Sequence, residues 1–259
     1  MDFGLQGKVA MVAAASKGIG LACAQELAKE GAIVSICSRN EEALVAATEV
    51  IEGDAHTYVV DVANAKDLEW WVQQTREDCG QIDILVTNTG GPPAGKWPTL
   101  TDEQWATGFE STLMNVVRLM REVSPEMSAR KWGRIVHLTS LVAQEPAPML
   151  PISSTLRTGL MALTRLHATE LAPFGVTVNS VLPGHTDTDR QTELATVTAE
   201  REGITVEEVR LRTQAKMPMG RLALPEEIAA AVVFLCSDRA SYVTGVNLLV
   251  DGGFTQTFA

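Results

Sequence analysis

Three short stretches of this 259-residue chain carry residues whose types and spacing could do chemistry. In "AAASKGIG", Gly18 and Gly20 follow an apolar run and open an amphipathic one. A helix starting there presents backbone N–H groups without partners, and such groups suit a pyrophosphate. Ala14 stands where a loop of this kind wants its first glycine, and a positive φ costs alanine about 1 kcal/mol. In "ICSRNEE", Ser38 and Arg39 close an apolar run with no carboxylate before Glu41. An acid at that point would accept from a ribose 2′-hydroxyl. Arg39 and Lys17 instead suit a 2′-phosphate, through charge-assisted hydrogen bonds. In "PISSTLR", Ser153 and Arg157 are four residues apart, on one helix face and about 6 Å apart along its axis. That pair offers a hydroxyl in a positive field. It offers no ready proton, because an alkyl hydroxyl is far less acidic than a phenol. The only tyrosines, Tyr58 and Tyr242, lie elsewhere.

The elements that must position these stretches are legible as an alternation. Seven short apolar runs ("KVAMVAAA", "AIVSIC", "HTYVV", "IDILVT", "RIVHLT", "VTVNSVL", "VNLLV") are separated by helical patterns such as "GLACAQELAKE" and "PEEIAAAVVFLCS". The pattern predicts an α/β fold, a doubly wound, seven-stranded parallel sheet flanked by helices, with strands apolar on both faces. One domain over residues 1–259 is expected, since the chain is 46% hydrophobic and shows no compositional break. The charged segment from Asp187 to Arg221 follows a strand end, where ligands bind in open sheets, and reads as a helical lid.

Composition narrows the partners. A net charge of -11 argues against nucleic acid or an anionic membrane as the main partner, and "IAAAVVFLC" is too short to span a bilayer. Cys23, Cys37, Cys79 and Cys236 form no C-x-x-C pair, so four buried thiols and no metal site are expected. With no signal-like start, a cytoplasmic location is the expectation.

The chain resembles the short-chain dehydrogenase/reductase family, in its β-ketoacyl-acyl-carrier-protein-reductase-like branch, along nearly its whole length. The resemblance rests on "AAASKGIG", "ILVTNTGG", "GRIVHLTS", "VTVNSVLPGHTDT" and "YVTGVNLLVDGG", in the family's order and spacing. It implies a Rossmann fold and a nicotinamide dinucleotide, which Lys17 and Arg39 narrow to NADP(H) in preference to NAD(H). Ser16, Lys17, Gly18, Ile19 and Gly20 match the phosphate loop, and Asp61 matches the residue facing the adenine. Asn88 and Gly90 would shape the pocket; Pro183, Gly184 and Thr188 would flank the nicotinamide.

The catalytic pattern of the family departs here. Its Asn falls on Thr112, with Asn115 one turn on; its Ser is Ser140; its Tyr falls on Ser153 and its Lys on Arg157. The proton must then come from another group. His185, in the loop after Pro183-Gly184, is the best-matched acid near neutral pH. Water held by Ser140, Ser153 and Thr112 is another source, as is Glu145 in "QEPAPMLP"; His137 reads as a core histidine. Three outcomes stay open: an atypical NADP(H)-dependent oxidoreductase acting on a carbonyl or alcohol, a non-redox dehalogenase-like enzyme, and a catalytically silent nucleotide-binding subunit. The resemblance also implies a homotetramer built on "EQWATGFESTLMNVVRLMREVSPEMSARK" and "SSTLRTGLMALTRLHATELA". It leaves the small-molecule substrate open among acyl thioesters, sugars and small ketones.

Overall fold

A computed structural model describes residues 2–256. Seven parallel strands form one sheet in the order β3-β2-β1-β4-β5-β6-β7. They are β1 (Val9–Val12), β2 (Ile33–Ser38), β3 (Ala55–Val59), β4 (Ile82–Thr87), β5 (Gly133–Leu138), β6 (Val176–Pro183) and β7 (Asn247–Val250). Every run read as a strand from its apolar residues is one. The central strands β1, β5 and β6 are buried at every position. The outer strands are not: β3 ends on exposed Val59, and all four residues of β7 are partly exposed. Uniform burial fails at the two edges because only one neighbouring strand and fewer helices cover them.

Helices cover both faces. On one, α1 (Gly18–Lys29) and α9 (Pro225–Cys236) pack Leu27, Ile228 and Val232 onto Val12, Ile36 and Val136. On the other lie α3 (Ala65–Cys79), α5 (Asn115–Arg130) and α6 (Pro151–Leu171), packed through Trp71, Leu119 and Leu160. The helix α2 (Glu41–Val50) follows β2, and α4 (Asp102–Phe109) runs into α5 through a π-helical turn, Glu110–Met114. Burying an apolar side chain of this size contributes about 1.5–3 kcal/mol, so the two clusters hold the sheet between them.

Strand order reverses at β1, whose neighbours are β2 and β4. Crevices at the carboxyl ends of strands form at such a switch point. The segment expected to form a lid is helical: α7 (Asp189–Glu202) and α8 (Val206–Lys216) turn at Gly203 and share a small apolar cluster of Ala195, Ala199 and Val209. His137 is a core residue, with Nδ1 2.8 Å from Thr87 Oγ1 and burial pushing its pKa down to about 3. Three of the four cysteines are buried as expected; Cys79 is half-buried. Among the described residues no His/Cys/Asp/Glu cluster could hold a metal, and no helix is long and apolar enough to cross a membrane.

Candidate active site

A single cleft of about 1020 Å³ runs across the carboxyl ends of the strands, lined by Arg39 near one end and Arg157 near the other. A dinucleotide and a small second ligand would fill that volume.

At the first end, α1 starts without a side-chain cap: Lys17 holds the N-cap position and accepts from no helix N–H. The helices α2, α3, α7 and α8 are all capped, by Asn40, Asn64, Thr188 and Thr205. The first turn of α1 therefore keeps its N–H groups for a ligand, with the positive end of the helix dipole behind them. Gly18 adopts φ +58°. At Gly20 the backbone approach is close: a Cβ would lie 2.6 Å from Ala14 O and 2.9 Å from Ala15 Cα. Ala14 takes the left-handed conformation its missing glycine implies, at φ 48°. Asn88 Nδ2 donates to Ala14 O at 3.2 Å and ties this strained loop to the end of β4.

Ser38 is the last residue of β2, and its Oγ accepts from Ser16 Oγ at 2.9 Å. Arg39 is exposed on the cleft wall and makes no ion pair or side-chain hydrogen bond among the described residues. Lys17 differs. Its Nζ sits 2.9 Å from Asp189 Oδ2, and that hydrogen bond raises the lysine pKa. The two cations named for the 2′-phosphate therefore differ: Arg39 is unpaired among the described residues, whereas Lys17 is paired because α7 places its first residue over the loop. Asp61 follows β3 and accepts from Ala63 N at 3.0 Å. Ile19 and Gly90 line the cleft between the ends. Pro183 ends β6, and Gly184 is pressed so close to Asp251 that a Cβ would come within 2.6 Å of its Cα. Thr188 caps α7 facing Gly18, with Gln191 N donating to its Oγ1 at 3.4 Å. An uncapped helix start and an obligatory glycine fit the pyrophosphate of a dinucleotide.

At the second end, Ser140 follows β5 and caps a short 3-10 turn, Leu141–Ala143, accepting from Val142 N at 3.4 Å. Ser153 and Arg157 lie on one face of α6, both buried and both lining the cleft. Arg157 Nε donates to Ser153 Oγ at 3.1 Å, and Nη1 donates to Leu138 O at 3.0 Å and Thr139 O at 2.7 Å. Burial first, and Arg190 second, lower the guanidinium pKa to about 10, so it remains a cation at neutral pH. With one lone pair of Ser153 taken by Arg157, the serine O–H is left without a protein acceptor among the described residues.

The other candidates are placed less favourably. Thr112 does not line the cleft; it is buried in the π-turn with its hydroxyl unpartnered, and Ser111 lines the cleft in its place. Asn115 is also buried, with Nδ2 unpartnered. His185 does line the cleft, stacked edge-on against Phe254 with Nδ1 3.3 Å from Gln191 Oε1. Burial lowers its pKa from the ordinary histidine value and disfavours the imidazolium form. Glu145 is exposed and outside the cleft. Arg190, on α7, was legible only as one of several lid arginines. It reaches across the cleft to donate through Nη2 to Pro92 O at 2.7 Å, and only the fold brings these residues, 98 apart in sequence, together.

The chain is similar to known proteins along nearly its whole length. The profile of the family described as enoyl-(acyl carrier protein) reductase matches residues 13–255. A putative ketoacyl reductase of the monensin polyketide synthase from Streptomyces virginiae is 34% identical, covering 95% of this chain and 96% of its own. The 3-oxoacyl-(acyl-carrier-protein) reductase of Escherichia coli K12 is 34% identical over 96% of this chain and 97% of its own. L-Sorbose reductase from Gluconobacter frateurii, solved with NADPH and L-sorbose, superposes with a TM-score of 0.92 at 34% identity, covering all of both chains.

Proposed function

The chain belongs to the short-chain dehydrogenase/reductase family, in its β-ketoacyl-reductase-like branch, and from that premise we propose an NADP(H)-dependent carbonyl reductase that works without a phenol. One observation carries the reading: the uncapped start of α1 opens into the same cleft as Ser140, Ser153 and Arg157. Ser16, Lys17, Gly18, Ile19 and Gly20 would hold the pyrophosphate, and Ser38 with Arg39 the 2′-phosphate. Asp61 faces the adenine; Asn88, Gly90, Pro183, Gly184 and Thr188 shape the nicotinamide end. Bound NADPH supplies a hydride.

The chain's own contribution is to hold a carbonyl oxygen and manage its charge. Ser140 and Ser153 offer two hydroxyl donors at the end of β5. Arg157, fixed by two backbone carbonyls, keeps a positive field behind Ser153 and polarises its O–H. Charge-assisted donors of this kind hold a developing alkoxide in a site with little water. Burial holds the His185 pKa down and so disfavours its imidazolium as the proton donor. The proton comes from water reaching the two serines. Without a phenolic acid, turnover forgoes a factor of about 10²–10⁴. The helices α7 and α8 act as a lid over a single-domain core. A homotetramer forms through α4–α5 and α6, where Phe109 and Leu166 are exposed; sedimentation as a monomer would contradict it.

The test is steady-state NADPH oxidation with a panel of ketones, keto sugars and 3-oxoacyl thioesters. Slow, saturable turnover that Arg157→Ala lowers is the expected result. A protein that binds NADPH and turns over nothing in the panel is a silent binding subunit, and the reductase reading fails.

A further inference from the structure

We propose that the catalytic end of the cleft recognises a carboxylate, so that the carbonyl substrate is a small 2- or 3-oxo acid; this rests on the reductase reading above. The starting point is a buried charge with no counter-charge. Arg157 is 6% exposed. Its acceptors, Ser153 Oγ and the carbonyls of Leu138 and Thr139, are all neutral. Among the described residues it makes no ion pair. Among the described residues Nη2 has no protein partner; it is not one of the fully enclosed unpartnered atoms, and its side chain lines the cleft.

Arg134 shows the alternative. It is 3% exposed and equally embedded, but its Nη2 meets Asp238 at 3.3 Å. A guanidinium kept from water needs such a partner, because the desolvation penalty otherwise goes uncompensated. No acid lining the cleft serves Arg157. Asp187 pairs with Arg210 and Asp189 with Lys17, each at 2.9 Å. Asp61 accepts from its own turn, and Glu226 lies at the start of α9.

A second cation faces the same space. Arg190 is anchored through Nη2 to Pro92 O, with Nη1 3.3 Å from the exposed Glu193 carboxylate. Both guanidinium groups line the same cleft, and their like charges repel each other. An anion between them removes that repulsion and supplies the missing acceptor, and the planar guanidinium fork matches a carboxylate. Position follows from the same contacts. Nε and Nη2 belong to one planar group, and Nε already holds Ser153. A carbonyl oxygen on the Ser153 hydroxyl and a carboxylate on Nη2 would both be held from this one planar group, which suits a small molecule carrying the two groups close together. The oxo carbon gains a hydride from NADPH and its oxygen gains a proton from water. NADP⁺ and a hydroxy acid leave, and the carboxylate is unchanged.

The test is calorimetric titration of the protein, with and without saturating NADP⁺, using 2-oxobutanoate, 3-oxobutanoate and the methyl ester of each. At least one acid is expected to bind about tenfold or more tightly than its ester. Arg190→Gln, on an exposed helix, and Arg157→Lys are each expected to shrink that ratio to about threefold or less. Equal binding of acid and ester overturns the inference, as does a ratio unchanged in both variants or binding of bromide in place of the acids. If the esters are still reduced with NADPH in such a case, the reductase reading stands alone. If no dinucleotide binds, the reductase reading fails, while an acid preference in the free protein that Arg190→Gln abolishes still upholds the anion site.

Discussion

The two ends of the cleft differ in what builds them. The phosphate end is made of backbone: the N–H groups of α1, the close approach at Gly20 and the turn at Ala14. Backbone geometry tolerates a change of side chain when the new residue can adopt the same φ, and Ala14 at φ 48° does so at a cost of about 1 kcal/mol. The catalytic end is made of side chains, and a side chain's pKa cannot be kept when its type changes. Ser153 and Arg157 preserve the spacing of an acid and a cation on α6 while removing the acid. On the proposed reading the same fold keeps one function and rewrites the other.

The comparison can be broken most forcefully at the catalytic end. The double substitution Ser153→Tyr with Arg157→Lys restores a phenol beside an ammonium, and kcat on a neutral ketone is expected to rise by about 10²–10⁴-fold. No rise would mean that the lack of an acid does not limit this site. At the phosphate end, Gly20→Ala drives a methyl group into Ala14 O and Ala15 Cα. NADPH affinity is expected to fall by about 100-fold in calorimetry while the circular dichroism of the fold is retained. Unchanged affinity would show that the loop is not where the cofactor sits. A smaller effect separates the two dinucleotides: Arg39→Gln should weaken NADPH by about tenfold and NADH hardly at all. Equal losses for both would make Arg39 a general surface charge.

The smallest effect concerns pH. The His185 pKa is lowered by burial, so its acid form gains population only as pH falls below the ordinary histidine range. If imidazolium were the proton source, kcat for reduction would climb as pH drops through that range. With water as the source, kcat is expected to stay within about twofold from pH 6 to 8. A steep climb on acidification would restore His185 as the acid.

The same division decided what could be read in advance. All seven strands were legible, because strands buried between helix layers must be apolar and their punctuation is glycine and polar turns. The phosphate loop was legible because its geometry is local to residues 14–20. The rest depended on contacts distant in sequence. Lys17 meets Asp189 across 172 residues, so that ion pair could not be foreseen. Arg157 is held by the carbonyls of Leu138, at the end of β5, and of Thr139 just beyond it, 19 and 18 residues earlier, so these contacts form only once α6 has packed. The π-turn at Glu110–Met114 adds a residue to one helical turn, putting Ser111 on the cleft and Thr112 in the core, and nothing in "ESTLM" marks it.

The central claim is that a dinucleotide-binding cleft with an intact grip has lost its phenol. Calorimetric titration of the purified protein with NADPH and with NADH tests it most directly. One NADPH per chain, bound about tenfold or more tightly than NADH, is the expected result. Heats of dilution alone with both coenzymes, or tighter binding of NADH, would contradict it.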